Sequence, residues 1–372
     1  MQSFHPPQRT LMGPGPSDVP DRILQAMAQP TIGHLDPAFV GMMDELKVML
    51  RRAFCTDNAL TFAVSAPGSA GMECCFANLV EPGDEVIVCI NGVFGGRMKE
   101  NVMRMGGIAI TVEDNWGTPV DLQKVSDAFA KHPKAKLLAF VHSETSTGVR
   151  SDAKALCALA REHGALSLVD AVTSLGGIEL LVDEWGIDAI YSGTQKCLSC
   201  PPGLSPVSFS EAAAQKILNR SSKVRSWFLD LSLVMAYWQG DGARTYHHTA
   251  PVNAMYGLHE ALVMLHEEGL QNAWARHANM HQKLKSGLEN LGLIFVVEEP
   301  YRLPQLNAVK FPASVTDEAS IRKDLLLKHN LEIGAGLGAL AGKVWRIGLM
   351  GASASDDNIE KCLGALEQVL EK

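Results

Sequence analysis

Residues 165–200 read ALSLVDAVTSLGGIELLVDEWGIDAIYSGTQKCLSC. Two short runs in it, ALSLVD (165–170) and DAIYSG (188–193), have strand length and are apolar almost throughout. That suits strands of a parallel sheet covered on both faces. The first run closes on Asp170, and an acid at the end of an apolar strand is costly unless a cation or a hydrogen bond meets it. The second runs into GTQKCLS, which places Lys196 in the loop 26 residues after Asp170. A lysine in a loop is ordinarily a solvated surface charge. Lys196 instead has GTQ before it and CL and PPG after it, small and apolar neighbours with no other charge.

The same alternation extends in both directions. Further strands are expected at LTFAVSA (60–66), DEVIVCI (84–90), IAITVE (108–113), KLLAFVH (136–142) and SPVSFS (205–210). Helical stretches separate them at 71–80, 96–105, 122–132 and 151–164. Strand–helix alternation predicts an α/β domain with a mostly parallel seven-stranded sheet, whose ligands collect at the carboxyl ends of the strands. After a segment rich in Trp, Tyr and His (227–248) come long helical segments at 253–270 and 272–292. Strand and helix patterns follow at LNAVKF (306–311), 316–329, LEIGAG (331–336), KVWRIGLMG (343–351) and from about 355. This reads as a smaller C-terminal α+β domain. The expected division is an N-terminal arm at 1–20, a large domain at 21–268 and a small domain at 269–372.

Composition narrows the function. Of the 372 residues 47% are hydrophobic and 20% charged, the profile of an ordinary folded protein. The net charge of −8 lacks the basic face that nucleic acid requires. No apolar run approaches the roughly 18–20 residues of a membrane helix. The opening MQSFHPPQRT has two prolines and no hydrophobic block, and the closing LEK is no peroxisomal address, so a cytoplasmic location is expected. Eight cysteines, at 55, 74, 75, 89, 157, 197, 200 and 362, are too sparse for a disulfide scaffold. Cys197 and Cys200 have CxxC spacing, but there is no second pair to complete a zinc site and no small redox domain around them.

The acid–lysine pair suits pyridoxal phosphate. The lysine amine forms a Schiff base with the aldehyde, and the carboxylate keeps the pyridine nitrogen protonated so that the ring accepts electrons. A phosphate needs a cradle, and LTFAVSA running into PGSAG and a helix is a strand, Gly-rich turn and helix whose exposed N–H groups suit an anion. In HSETSTG (142–148), hydroxyl residues follow an apolar strand and can meet a ring oxygen or merely cap a loop. Phe94 in NGVFGG is either core or a stacking ring. The histidines of YHHT (246–249) have no HExxH or further cluster, so no metal is expected. Arg346, interrupting the apolar KVWRIGLMG, is either a seam salt bridge or a fork for a substrate carboxylate.

Taken together, GPGPSDVP (13–20), PGSAG, HSETSTG, LVDAVTSLGG, YSGTQKCLSCPPG, YHHTAP and WRIGLMG resemble, in order, the class V, fold-type I pyridoxal phosphate aminotransferases. The chain is most similar to the alanine–glyoxylate type, with serine–glyoxylate and ureidoglycine–glyoxylate enzymes near it. The resemblance covers the chain from about residue 10 to its end. It implies a ping-pong transaminase with Lys196 as the cofactor-binding and proton-moving lysine and Asp170 on the pyridine nitrogen. It implies Gly68, Ser69 and Gln195 at the phosphate, Phe94 on the ring, Thr145 at the ring oxygen and Arg346 on the substrate carboxylate. It further implies a homodimer whose Tyr246 and Thr249 reach the neighbour's phosphate. Phe94 stands where alanine–glyoxylate enzymes often have Trp, and Ser69 where some members have His, so Ser69 should act through its backbone N–H.

The resemblance also frames the donor. HLDPAF, VDEWGIDA and GTQKCLS look closer to ureidoglycine enzymes, but the residue before the histidine pair is Tyr246, as in alanine–glyoxylate enzymes, where ureidoglycine enzymes carry Asn. Asn suits a planar ureido group, whereas Tyr leaves room for a small donor. Alanine or serine with glyoxylate is therefore expected, with ureidoglycine as the alternative. A cysteine desulfurase or another lyase shares the fold, but a desulfurase needs a mobile nucleophilic cysteine and none lies between 201 and 361. A cofactor-free scaffold would be colourless, and the intact Asp170/Lys196 pair argues against it.

Overall fold

The computed structural model describes residues 1–238 and 244–370. All seven expected strands form one sheet: β1 (Leu60–Val64), β2 (Glu85–Ile90), β3 (Ile108–Glu113), β4 (Leu137–Val141), β5 (Leu166–Asp170), β6 (Ala189–Tyr191) and β7 (Ser205–Phe209). They lie in the order β1-β7-β6-β5-β4-β2-β3. Only β7 runs against its neighbours. The apolar runs of β1, β4 and β7 are buried along their whole length, as strands covered on both faces must be. β3 is at the edge and is correspondingly more exposed.

Because β7 is antiparallel to both β1 and β6, the carboxyl ends of β1, β2, β4, β5 and β6 point to one rim. Helices return the chain from that rim. After β1 and β2 these are α1 (Gly68–Leu79) and α2 (Val93–Arg104). Helices at Leu122–Lys131 and Ala153–Glu162 start from aspartate caps, Asp121 and Asp152, whose side chains accept N–H bonds of the first turn. α1 and α2, which open onto the rim, have no such cap from their own N-cap residues, Pro67 and Gly92.

No helix is expected before residue 60 from the patterns above, yet Pro37–Phe54 is an 18-residue helix. Its stripe of Phe39, Met43, Leu46 and Leu50 has helical spacing and is buried. Asp36 caps its start, Pro37 opens it, and Cys55 in the left-handed conformation ends it.

Towards the C terminus the helices Val252–Glu268 and Leu270–Asn290 are followed by a four-stranded antiparallel sheet. Its order is Ile294–Phe295, Leu306–Lys310, Val344–Gly348 and Gly334–Ala335. The buried apolar side chains fall into one cluster around the seven-stranded sheet, another around this smaller sheet and a small third one in which Ile178 and Cys197 meet Leu303, Leu306 and Met350. The N-terminal segment joins the two. Thr10–Leu11 pairs with Leu331–Glu332, and Met12 belongs to the C-terminal cluster. Ser17 then donates its N–H to the carbonyl of Gln195 and its hydroxyl to that of Lys196. No helix among the described residues is long and apolar enough to cross a membrane.

Candidate active site

Five strand ends supply the rim. Gly68 and Ser69 follow β1, Phe94 follows β2, Thr145 follows β4, Asp170 ends β5, and Gln195 and Lys196 follow β6. Residues far apart in sequence therefore converge because one sheet edge collects them.

Asp170 is buried and held from two sides. The Tyr191 hydroxyl donates to its Oδ2 at 2.6 Å and the Val172 N–H to its Oδ1 at 2.8 Å. Burial pushes its pKa up to about 7, although these two donors and the Lys196 charge pull it down. A buried carboxylate in that condition is relieved by a cation placed against it. Lys196 is also buried, and its amine donates to the carbonyl of Pro14. Burial, then the charge of Arg346, lower its pKa to about 8. It forms no salt bridge among the described residues, so its amine is available as a nucleophile at mildly alkaline pH. Gly15 has φ +101°, and a methyl group there would collide with the Lys196 amine, so only glycine lets the N-terminal segment pass this close.

The turn before α1 leaves the first N–H groups of that helix without a side-chain cap. Beside it, Oε1 of Gln195 is buried without a hydrogen-bond partner. An uncapped helix start fits an anionic ligand group, and the Gln195 amide, turned so that its NH2 end faces that start, would add a donor. Thr145 is buried, and its hydroxyl lies 2.5 Å from that of Thr173. Arg346 comes from the smaller sheet. Its Nε donates to the Ala335 carbonyl at 2.7 Å and its Nη1 to the Thr145 carbonyl at 3.2 Å, with no ion pair among the described residues. Burial lowers its pKa to about 10, and the Glu144 charge opposes that shift. The Phe94 ring is half-buried, with the Arg97 guanidinium 4.8 Å from its centre.

Tyr246 and Thr249 are exposed and lie within 3.4 Å of each other. No hydrogen bond joins them to Gly68, Ser69 or Gln195 among the described residues. Their segment is tied to the turn before α1 through His248, whose Nε2 lies 2.7 Å from the Ser65 hydroxyl. The eight cysteines are free, and burial pushes Cys197 and Cys200 each up to about 12, which leaves both as unreactive thiols.

Four participants were not picked out from the sequence. Tyr191 lies inside an expected strand, and its signal is that a tyrosine in a buried run needs a polar partner. Pro14 acts through its carbonyl, and Thr173 through a hydroxyl in a turn. Glu144 is a fully buried carboxylate in HSETSTG, next to Thr145. Its sequence signal was an acid directly after an apolar strand, the same signal that identified Asp170.

The profile of the family Aminotransferase class-V matches residues 43–354. The alanine–glyoxylate aminotransferase of Oryctolagus cuniculus is 41% identical, over 98% of this chain and 93% of that protein. The crystal structure of an alanine–glyoxylate aminotransferase from Nostoc sp. superposes with a TM-score of 0.97 at 45% identity, covering 100% of this chain and 97% of that one. A ureidoglycine–glyoxylate aminotransferase from Bacillus subtilis superposes with a TM-score of 0.96 at 38% identity, covering 100% of this chain and 95% of that one.

Proposed function

The chain belongs to the class V aminotransferases, an α/β family of fold-type I working on pyridoxal 5'-phosphate, and on that premise we propose that it moves an amino group from alanine or serine to glyoxylate. The observation that carries the reading is the pairing on one rim of a buried amine, Lys196, with a buried carboxylate, Asp170, neither of them in a salt bridge among the described residues. When bound, the cofactor supplies an aldehyde for the amino group and a ring that withdraws electrons from the substrate carbon.

The residues present fit that cofactor. Asp170, fixed by Tyr191 and Val172, would keep a proton on the pyridine nitrogen. Lys196 Nζ would hold the aldehyde end and, with its lowered pKa, could hold or move a proton at the reacting substrate carbon. The N–H groups of Gly68 and Ser69 and the Gln195 amide bind the phosphate. Thr145 would meet the ring oxygen, Phe94 would cover the ring face, and Arg346 would grip the carboxylate of donor and acceptor. Two carbonyls anchor Arg346 without neutralising it, so its charge is left for a substrate.

The working form is a homodimer. Tyr246 and Thr249 of one subunit complete the phosphate site of the other, a reading supported by their exposure beside exposed Trp227 and Phe228. The division into an arm at 1–20, a large domain at 21–268 and a small domain at 269–372 is supported by the two larger apolar clusters, the first of which reaches on to Ala273.

The small-donor reading rests on the alanine–glyoxylate relatives and on Tyr246, which offers one hydroxyl and a ring where a ureido group wants an amide partner. The likeness to the Bacillus subtilis enzyme supports ureidoglycine as a second donor. Comparing kcat/KM for alanine, serine and freshly generated ureidoglycine with glyoxylate tests the choice. The expected order puts alanine or serine first, and ureidoglycine ahead by orders of magnitude overturns it.

A further inference from the structure

The cap missing from α2 is supplied from another strand. Gly92 precedes the helix and has no side chain to offer its first turn. The N–H of Val93 donates to the Ser146 hydroxyl at 3.0 Å, that of Phe94 to Oε2 of Glu144 at 3.2 Å, and that of Gly95 also to Glu144. The Ser146 N–H and hydroxyl both donate to Oε1 of Glu144, at 3.0 and 2.6 Å. Neither Glu144 nor Ser146 is exposed. A side chain at Gly92 would strike the Glu144 carboxyl group and the Ser146 hydroxyl, so the approach depends on glycine there. Burial pushes the Glu144 pKa up, and the Ser146, Phe94 and Gly95 donors at the positive end of a 12-residue helix oppose that shift.

Thr145 lies between these two residues and faces elsewhere, its hydroxyl to Thr173 and its carbonyl to Arg346. Three residues thus make a splint. Glu144 and Ser146 grip the helix start that carries Phe94, and Thr145 holds Arg346 on the other side. A cap needed only for stability could be an Asp at the helix's own N-cap, as at Asp121 and Asp152. Here the cap is taken from the strand end that also bears Thr145.

We propose that Glu144 is a positioning residue for the Phe94 ring, fixing through the first turn of α2 where that ring lies relative to Thr145 and Arg346. The proposal rests on the cofactor reading above, in which Phe94 covers the ring. One measurement separates it from a purely structural cap, and a second tests the cap itself.

The first is a double-mutant cycle of Glu144→Gln and Phe94→Leu in the holoenzyme, read by circular dichroism in the visible cofactor band and by kcat. Glu144→Gln alone is expected to lower kcat about tenfold, the scale of one charge-assisted hydrogen bond, and to reduce the cofactor-band dichroism. In the Phe94→Leu background the same substitution should change either readout less than about twofold, because the group it acts through is gone. Equal effects in both backgrounds overturn the proposal.

The second route uses apoprotein. Hydrogen exchange of the 93–95 amides should accelerate in Glu144→Gln and not in Phe94→Leu, and unchanged exchange overturns the proposal as well. If Glu144→Gln does not fold, Ser146→Ala, which removes the hydroxyl shared by Glu144 and Val93, goes through both measurements with the same criteria. A wild-type protein with no lysine-bound visible chromophore defeats the cofactor reading instead, and amide exchange then still decides whether Glu144 holds α2.

Discussion

Tyr191 and Asp170 are register partners on adjacent parallel strands, and the tyrosine hydroxyl donates to the carboxylate at 2.6 Å. The bond occupies one oxygen of Asp170 from the side, and the Val172 N–H occupies the other. A carboxylate has about four lone-pair sites, so two remain, which leaves room for a cation above the strand ends. Tyr191→Phe should leave the fold intact and push the Asp170 pKa further up, because a donor that favours the charged form is lost. Loss of a hydrogen bond to a charged group costs about 1.5–3 kcal/mol, so pyridoxal phosphate should bind roughly ten- to a hundredfold more weakly. Fluorescence titration of apoprotein measures it, and unchanged affinity would make the hydroxyl a packing feature only.

Lys196 should carry the cofactor. Borohydride treatment of the holoenzyme should fix an adduct on this lysine, and Lys196→Ala should lose both adduct and turnover. Since burial and the Arg346 charge bring the amine down to about 8, its neutral, nucleophilic form gains on raising the pH through that value. The rate of cofactor capture by apoprotein should rise with pH and level off above about 8. A midpoint near the ordinary lysine value of about 10.4 would remove the argument from burial.

Arg346→Lys keeps the charge and loses the planar fork. Donor and acceptor should both bind less well, with kcat/KM down roughly ten- to a hundredfold. Unchanged kinetics would confine Arg346 to joining the smaller sheet to Thr145.

Shared sites predict complementation. Lys196→Ala and the double variant Tyr246→Ala/Thr249→Ala should each be nearly inactive. After subunit exchange, half the dimers would be mixed and one of their two sites intact, so activity should return to about a quarter of wild type. No recovery, or a fully active monomer by sedimentation, refutes the shared site.

His277 gives a stability prediction. Its Nδ1 lies 2.6 Å from the Ala273 carbonyl, and its Nε2 accepts the Gly351 N–H at 2.9 Å, which fixes a neutral ring. Burial lowers its pKa from 6.5 to about 4. Between those values the unfolded chain binds the proton and the folded one does not. Its stabilising contribution is therefore complete above about 6.5 and is lost as the pH falls towards 4, with a slope of up to about 1.4 kcal/mol per pH unit. Urea unfolding from pH 7 to 4 should show that slope, and His277→Gln should flatten it.

The seven central strands and the two long helices could be placed from the sequence because local patterns encode them. Apolar runs of strand length and stripes at helical spacing report burial directly, as in LLAFV at 137–141. Asp170 and Lys196 stood out for a related reason, since a charge beside an apolar strand end demands a partner. Tertiary structure alone decided what those partners are. That Pro14 reaches Lys196, that Tyr191 braces Asp170, and that Glu144 caps the helix bearing Phe94 all depend on strand order and on backbone approach across 21 to 182 residues of sequence. Such contacts are set by which elements become neighbours when the chain packs, and no local periodicity records that.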